Sequence, residues 1–112
     1  MEAGALATAA LLGDRPQLTA LICLNVLGAV GALRTMRRLG LDVPTDLSIV
    51  AVHDLALAQD LATPLTTVQT PLFELGKIAI ELVLSEGLEP RAETIIEKSP
   101  ELILRKSTAP PS

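Results

Sequence analysis

The chain has 112 residues, of which 49% are hydrophobic, and a formal net charge of −4. This length suits a single domain with one apolar core. The negative charge, and Phe73 as the only Phe, Tyr or Trp residue, argue against a nucleic-acid surface of basic side chains and stacked rings.

The chain is expected to begin with a helix and a strand. Residues 2–12, EAGALATAALL, are mostly strong helix formers, and the following GDRP breaks the pattern. Residues 20–24, ALICL, are an uninterrupted apolar run that predicts a strand buried on both faces. The single cysteine, Cys23, lies in that run, so we expect an inert buried thiol and no intrachain disulfide.

A second helix is predicted over residues 26–39. Large apolar residues recur there at helical spacing from Val26 to Met36, and Gly40 follows where a left-handed cap is favoured. The uncharged stretch 18–33 is shorter than the roughly 20 residues of a membrane-spanning helix, so no membrane span is expected. A second apolar strand, SIVAV, is predicted at residues 48–52.

Polar side chains follow these two predicted strands where each one ends. Asn25 follows the first, and His53 and Asp54 follow the second. Two strands joined by a helix run parallel, so these residues should emerge at the same edge of the sheet, where open α/β sheets bind ligands. We therefore take all three as candidate ligand-binding residues. The alternatives are that Asn25 satisfies nearby backbone groups, that Asp54 caps a turn and that His53 is structural.

Downstream of Asp54, residues 55–61 predict one or two helical turns, and residues 65–69, LTTVQ, predict a short strand. Residues 72–84 are expected to form a strongly amphipathic helix, with Thr70 as its cap and Pro71 at its first position. Two strand-like runs follow at residues 94–97 and 102–105, and the tail from Ser107 is expected to be loosely held.

A hydrolase built from Cys23, His53 and Asp54 is the enzymatic alternative. Neighbouring residues of an extended chain point to opposite sides, so Asp54 is poorly placed to orient the ring of His53. We therefore expect no catalytic residues and no enzyme. No second histidine or cysteine is available to complete a metal site, and no cofactor is expected.

Three runs of the sequence resemble the C-terminal third of LacI/GalR-family transcriptional regulators. They are PQLTALICLNVLGAVGALRTMRRLGLDVPTDLSIVAVHD, TPLTTVQTPLFELGKIAIELVL and PELILRKSTAP, and together they cover nearly the whole chain. The resemblance implies a partial periplasmic-binding-protein-like (Rossmann-like) α/β fold, with a small, mainly parallel sheet flanked by helices.

The resemblance also implies a function and partners. Residues 1–112 would be the C-terminal part of an effector-binding domain, without the helix-turn-helix through which the parent protein binds operator DNA. The expected partners are a small-molecule effector and a second copy of the chain, in the cytoplasm. The helix at residues 26–38 would contribute to the dimer through Gly28, Gly31 and Ala32. The alternative is a degenerate fragment that serves only as an oligomerisation module.

Two departures from the family pattern bear on the effector. Val26 stands where an aspartate usually follows the asparagine, and His53 stands where an aspartate commonly contacts a sugar or nucleoside. An imidazole, which is neutral or cationic near neutral pH, thus replaces an anion that only accepts hydrogen bonds. We expect an effector that is less rich in hydroxyl groups or partly anionic, or a site that no longer binds.

Overall fold

A computed structural model describes residues 1–85 and 98–111. Within these residues the chain forms a four-stranded sheet and four helices. In chain order they are α1 (Glu2–Asp14), β1 (Ala20–Cys23), α2 (Val26–Arg38), β2 (Ser48–Val52), α3 (Leu57–Asp60), β3 (Thr66–Gln69), α4 (Leu72–Leu84) and β4 (Glu101–Ile103). The expected strand-like run at residues 94–97 lies outside the described residues.

The sheet order is β1-β2-β3-β4 in the part of the chain that is described. The pairs β1–β2 and β2–β3 are parallel, and β4 runs antiparallel to β3. The predicted α/β class with a small, mainly parallel sheet is confirmed. Since β1 and β2 are parallel, with Cys23 beside Ala51, the chain leaves both strands at the same edge.

The core lies between helix α2 and the strands β2 and β3. Its largest fully buried apolar side chains are Met36, Leu47, Ile49 and Leu65. Removing such side chains from water contributes about 1.5–3 kcal/mol each. The core thereby fixes strand β2, whose far end carries His53 and Asp54.

Strand β1 corrects one prediction. It is not buried on both faces, because Ile22 is 76% exposed and Leu24, just beyond the strand, is 82% exposed. It is also an edge strand of the described sheet, whereas β2 is an inner strand. An apolar run does not reveal whether a further element covers its outer face. Cys23 is half-buried, and burial raises the pKa of its thiol.

Helices α1 and α2 cross closely because small residues face each other. A Cβ atom on Gly4 would lie 2.2 Å from the carbonyl oxygen of Gly28, and one on Gly31 would lie 2.1 Å from that of Met1. The Thr35 hydroxyl donates to the Ala5 carbonyl at 3.0 Å across the interface. At its edge, an ion pair joins Arg34 to Glu2.

This crossing corrects the expected use of the small-residue face of α2. Gly28 and Gly31 do allow a close approach, but α1 of the same chain occupies their face, and Ala32 is buried in the core. The small residues of α2 indicated that another backbone could approach this face, but they did not indicate which element would do so. The same face is therefore not free for a second copy.

Helix α4 is amphipathic as predicted, yet none of its residues is buried among the described residues. Phe73 and Val83 are exposed, as is Ile80 between them. The predicted cap is wrong: Pro71 occupies the N-cap position, and the Thr70 hydroxyl contacts His53 instead. This helix therefore presents apolar side chains that the described residues leave uncovered.

The tail is not loosely held from Ser107 onward. Ser107 is fully buried between β2 and β3: its Oγ donates to the Ile49 carbonyl at 2.5 Å and accepts from the Thr66 N–H at 2.8 Å. Two residues later, the Ala109 N–H donates to the Oγ of Ser48 at 3.0 Å. The prediction was wrong because hydrogen bonds to the sheet hold the tail in place, although its polar composition is typical of a loop.

Candidate functional site

Asn25 forms the cap at the start of helix α2. Its backbone is extended, and its Oδ1 accepts a hydrogen bond from the Gly28 N–H at 2.7 Å. This is the usual way in which an asparagine satisfies a free N–H at a helix N-terminus. Oδ1 of Asn25 therefore satisfies a nearby backbone group, which was the alternative to ligand binding for this residue. The side chain is exposed at the carboxyl edge of β1.

His53 follows β2 in a left-handed backbone conformation with φ 66°. Such a φ is uncommon for any residue other than glycine. Its N–H donates to the Val68 carbonyl at 2.9 Å, and its ring Nδ1 lies 2.6 Å from the Thr70 hydroxyl oxygen. The ring is half-buried. Both the backbone and the ring of His53 are thus attached to the chain around the end of β3.

The Asp54 carboxylate is paired with Arg105. The guanidinium contacts both carboxylate oxygens, with Nη1 2.8 Å from Oδ1 and Nη2 3.2 Å from Oδ2. The Thr67 hydroxyl donates to Oδ1 at 2.8 Å. The hydrogen bonds from Arg105 lower the pKa of the Asp54 carboxyl, and the Thr67 hydroxyl adds to this effect against the cost of burial.

The sequence did not single out Arg105, Thr67 or Thr70 as site residues. Arg105 did carry a signal, since it is the first charged residue after the apolar run 102–104. Thr67 and Thr70 carried none, because short hydroxyl residues are common in strands and at helix starts.

A cavity of about 300 Å³ lies beside the end of β3 and shares Asp54 and Thr70 with this site. A larger cavity of about 420 Å³ lies toward the opposite edge of the sheet, next to Arg34 and Gly40, and none of the predicted site residues lines it. The smaller cavity is therefore adjacent to Asp54, whereas Asn25 and His53 do not line it.

The three members of the expected hydrolase alternative are not joined. Cys23 is on β1 with a raised thiol pKa, the His53 ring contacts Thr70, and the Asp54 carboxylate contacts Arg105. Across residues 1–85 and 98–111, no group of three His, Cys, Asp and Glu side chains is arranged for a metal ion. Over the same ranges, no helix combines the length and apolar character needed to cross a bilayer.

We expect the Asp54–Arg105 pair to make stability depend on pH. The pKa of Asp54 is lowered from its ordinary 3.8, so its stabilisation is fully present above that pH and is lost as the pH falls through the lower folded-state value. At pH 7, Asp54→Asn should reduce the free energy of unfolding by about 1.5–3 kcal/mol. The difference from the unchanged chain should disappear in acid, as measured by urea unfolding at several pH values.

The matched control is Glu2→Gln, which breaks the exposed Glu2–Arg34 pair. Exposed ion pairs are screened by solvent and contribute little to stability, so the effect of Glu2→Gln at pH 7 should be smaller than that of Asp54→Asn. A difference between Asp54→Asn and the unchanged chain that stays constant down to strongly acidic pH would contradict this assignment.

Comparison with known proteins gives the class of this fold and site. Residues 1–108 match the family described as "Periplasmic binding protein-like domain". The chain belongs to this family, in the form found in LacI-family transcriptional regulators.

Individual relatives agree with this assignment. The chain is 40% identical over 110 residues to the HTH-type transcriptional regulator MalR of Streptomyces coelicolor, covering 97% of this chain and 31% of that protein. It superposes on a LacI-family regulator from Mycobacterium smegmatis with a TM-score of 0.88 and 39% identity, covering 99% of this chain and 42% of the other. The chain thus spans about a third of the length of the curated relative.

A LacI-family regulator from Enterococcus faecium, solved with bound ribose, is also similar. Its TM-score is 0.79 at 29% identity, covering 99% of this chain and 41% of that chain. The predicted resemblance to the LacI/GalR family is confirmed.

Proposed function

We propose that this chain is the C-terminal part of the effector-binding domain of a LacI-type transcriptional regulator. The whole protein would sense a small molecule and bind operator DNA through a helix-turn-helix domain outside this chain. The observation that carries the proposal is the family match over residues 1–108, on a sheet whose carboxyl edge bears Asn25 and His53. Asn25 and His53 are the proposed effector contacts, with Asp54 beside them.

The effector class is a sugar-like molecule or a related, partly anionic compound. The ribose-bound relative supports a sugar-like ligand. His53 supports the partly anionic variant, because an imidazole ring carries at least one N–H donor and no negative charge, whereas the carboxylate that the family usually has here only accepts hydrogen bonds and is an anion.

The test is calorimetric titration of the complete regulator with ribose, ribose 5-phosphate, lactose and adenosine. We expect one of the sugars or sugar phosphates to bind, and His53→Ala to weaken it by at least about tenfold, equivalent to about 1.4 kcal/mol. His53→Asp should shift the preference from the phosphorylated to the neutral sugar. Gln17→Ala is the matched control, since Gln17 is exposed before β1, at the other end of the strand from Asn25.

A neutral sugar that binds tightly, with an affinity that His53→Ala and His53→Asp leave unchanged, would contradict the role of His53. Absence of binding for every compound would favour the degenerate-site alternative, in which the chain serves only in assembly.

The proposed assembly is a dimer or higher oligomer. It is supported by the apolar side chains that α4 and β1 leave exposed, because large apolar patches commonly mark interfaces. Sedimentation equilibrium of the 112-residue chain measures this directly, and a monomer throughout the micromolar range would contradict it.

The proposal includes neither catalysis nor a cofactor. Its support is that the relatives are transcriptional regulators and that His53 and Asp54 have separate hydrogen-bond partners, Thr70 and Arg105. A protein of this function would act in the cytoplasm, where operator DNA is found.

A further inference from the structure

The left-handed backbone of His53 has to be held by its surroundings. A non-glycine residue in this region is strained and persists only where neighbouring contacts determine its conformation. On one side, the His53 N–H is fixed to the Val68 carbonyl at 2.9 Å. On the other side, the next residue is Asp54, so whatever fixes Asp54 also fixes the backbone of His53.

Arg105, two residues after β4, fixes Asp54. Besides its two contacts to the carboxylate, Nη1 of Arg105 donates to the Leu65 carbonyl at 2.8 Å and lies 3.3 Å from the Thr67 hydroxyl oxygen. The Arg105 N–H donates to the Thr66 hydroxyl at 3.0 Å. The side chains of Arg105 and Asp54 are only 15% and 17% exposed. This planar, two-point pairing defines a direction as well as a distance.

The carboxylate of Asp54 has little capacity left for a ligand. Its Oδ1 accepts from Arg105 and Thr67, and its Oδ2 accepts from Arg105. The ring of His53 uses Nδ1 toward Thr70, so its second nitrogen, Nε2, is the atom available for an effector. The direction of Nε2 therefore follows from a backbone that Asp54 and Arg105 hold.

We propose that Arg105 is a positioning residue of this site: through Asp54 it maintains the left-handed backbone of His53 and so sets the direction of the imidazole ring. Asp54 acts in the same way and does not contact the effector. The assignment rests on the proposed function only in that His53 is the effector contact. The positioning itself is measurable without an effector.

His53 is the only histidine of the sequence, so its imidazole resonances can be assigned directly. In ¹⁵N NMR spectra, the two ring nitrogens report the tautomer and the hydrogen bond at Nδ1. Thr70→Val supplies the reference spectrum of a ring without its Thr70 partner. We expect Arg105→Gln and Asp54→Asn each to shift the Nδ1 resonance toward that reference, and the double variant to shift it no further than either single variant.

The Arg105→Lys variant tests whether the two-point geometry of the arginine or its positive charge alone positions His53. A lysine keeps the positive charge but gives one contact instead of two, so the His53 signals should fall between those of the unchanged chain and Arg105→Gln. The matched control is Arg34→Gln, which breaks the Glu2–Arg34 pair and should leave the His53 resonances unchanged. A merely stabilising role of Arg105 would not move the ring signals of a chain that is still folded.

If Arg105→Gln does not fold, Asp54→Asn carries the test, because it keeps the size of the side chain and its hydrogen bond from Thr67. His53 resonances that stay at their original positions in a folded Asp54→Asn chain would overturn the proposal. Failure of the calorimetric titration would instead count against the effector role of His53, so the two failures are distinguishable.

Discussion

Replacing Gly31 with alanine should separate α1 from α2 and lower the free energy of unfolding by about 3 kcal/mol, the upper end of the usual cost of an overpacked contact. The added methyl group would lie 2.1 Å from the Met1 carbonyl oxygen and 2.7 Å from the Ala5 nitrogen. Both are backbone atoms, so a side-chain rotation cannot relieve the clash. Urea unfolding followed by circular dichroism measures the loss.

Gly76→Ala is the matched control for this substitution. Gly76 lies within α4, and nothing would lie within 4 Å of its added Cβ. Alanine should stabilise that helix by up to about 1 kcal/mol through its higher helix propensity. Gly4→Ala should behave like Gly31→Ala, because its Cβ would meet the Gly28 carbonyl. Equal stability of the Gly31→Ala and Gly76→Ala chains would show that α1 does not pack on α2 as described.

Ser107→Ala should also be strongly destabilising, because one hydroxyl satisfies two buried backbone groups. Its loss leaves the Ile49 carbonyl without its donor and the Thr66 N–H without its acceptor. An unsatisfied buried group costs about 1–3 kcal/mol, so the combined loss should exceed that of a typical single hydrogen bond. Urea unfolding measures the total, and amide hydrogen exchange at Thr66 measures the local effect.

Ser85→Ala is the control, since the Ser85 hydroxyl donates to the Glu81 carbonyl at an exposed helix end. Its stability should stay within about 0.5 kcal/mol of the unchanged chain. Undiminished exchange protection of the Thr66 amide in Ser107→Ala would mean that the serine hydroxyl is not its acceptor.

The helices and inner strands could be predicted because their signals are local. The apolar spacing of α2 and α4 and the run at β2 depend on residues close in sequence, and Gly40 has φ 70° just where its position after α2 predicts a left-handed residue. The edge position of β1 was not predictable in this way. It depends on which elements lie beside Ile22 and Leu24, and their own sequence does not contain that information.

The position of the candidate site could be predicted from the sequence, whereas the hydrogen bonds of its residues could not. A parallel crossover places Asn25 and His53 at one edge whatever the remaining details. Asp54 contacts Arg105, 51 positions away in sequence, and Ser107 contacts Ile49, 58 positions away. No local sequence pattern predicts contacts over such separations. The resemblance of the run PELILRKSTAP to its family was the one indication that this stretch, with its polar KST, is structurally constrained.

Ser107 lies between β2 and β3, so contacts inside the sheet depend on a residue that is synthesised long after both strands. Translation proceeds at roughly 5–20 residues per second, so residues 48–67 are synthesised seconds before residues 105–109. Until then, the Thr66 N–H and the Asp54 carboxylate lack the partners that they have in the folded chain. The polar contacts of Arg105 and Ser107 therefore form only after residues 105–109 have been synthesised, whereas the apolar side chains of α2, β2 and β3 are present earlier.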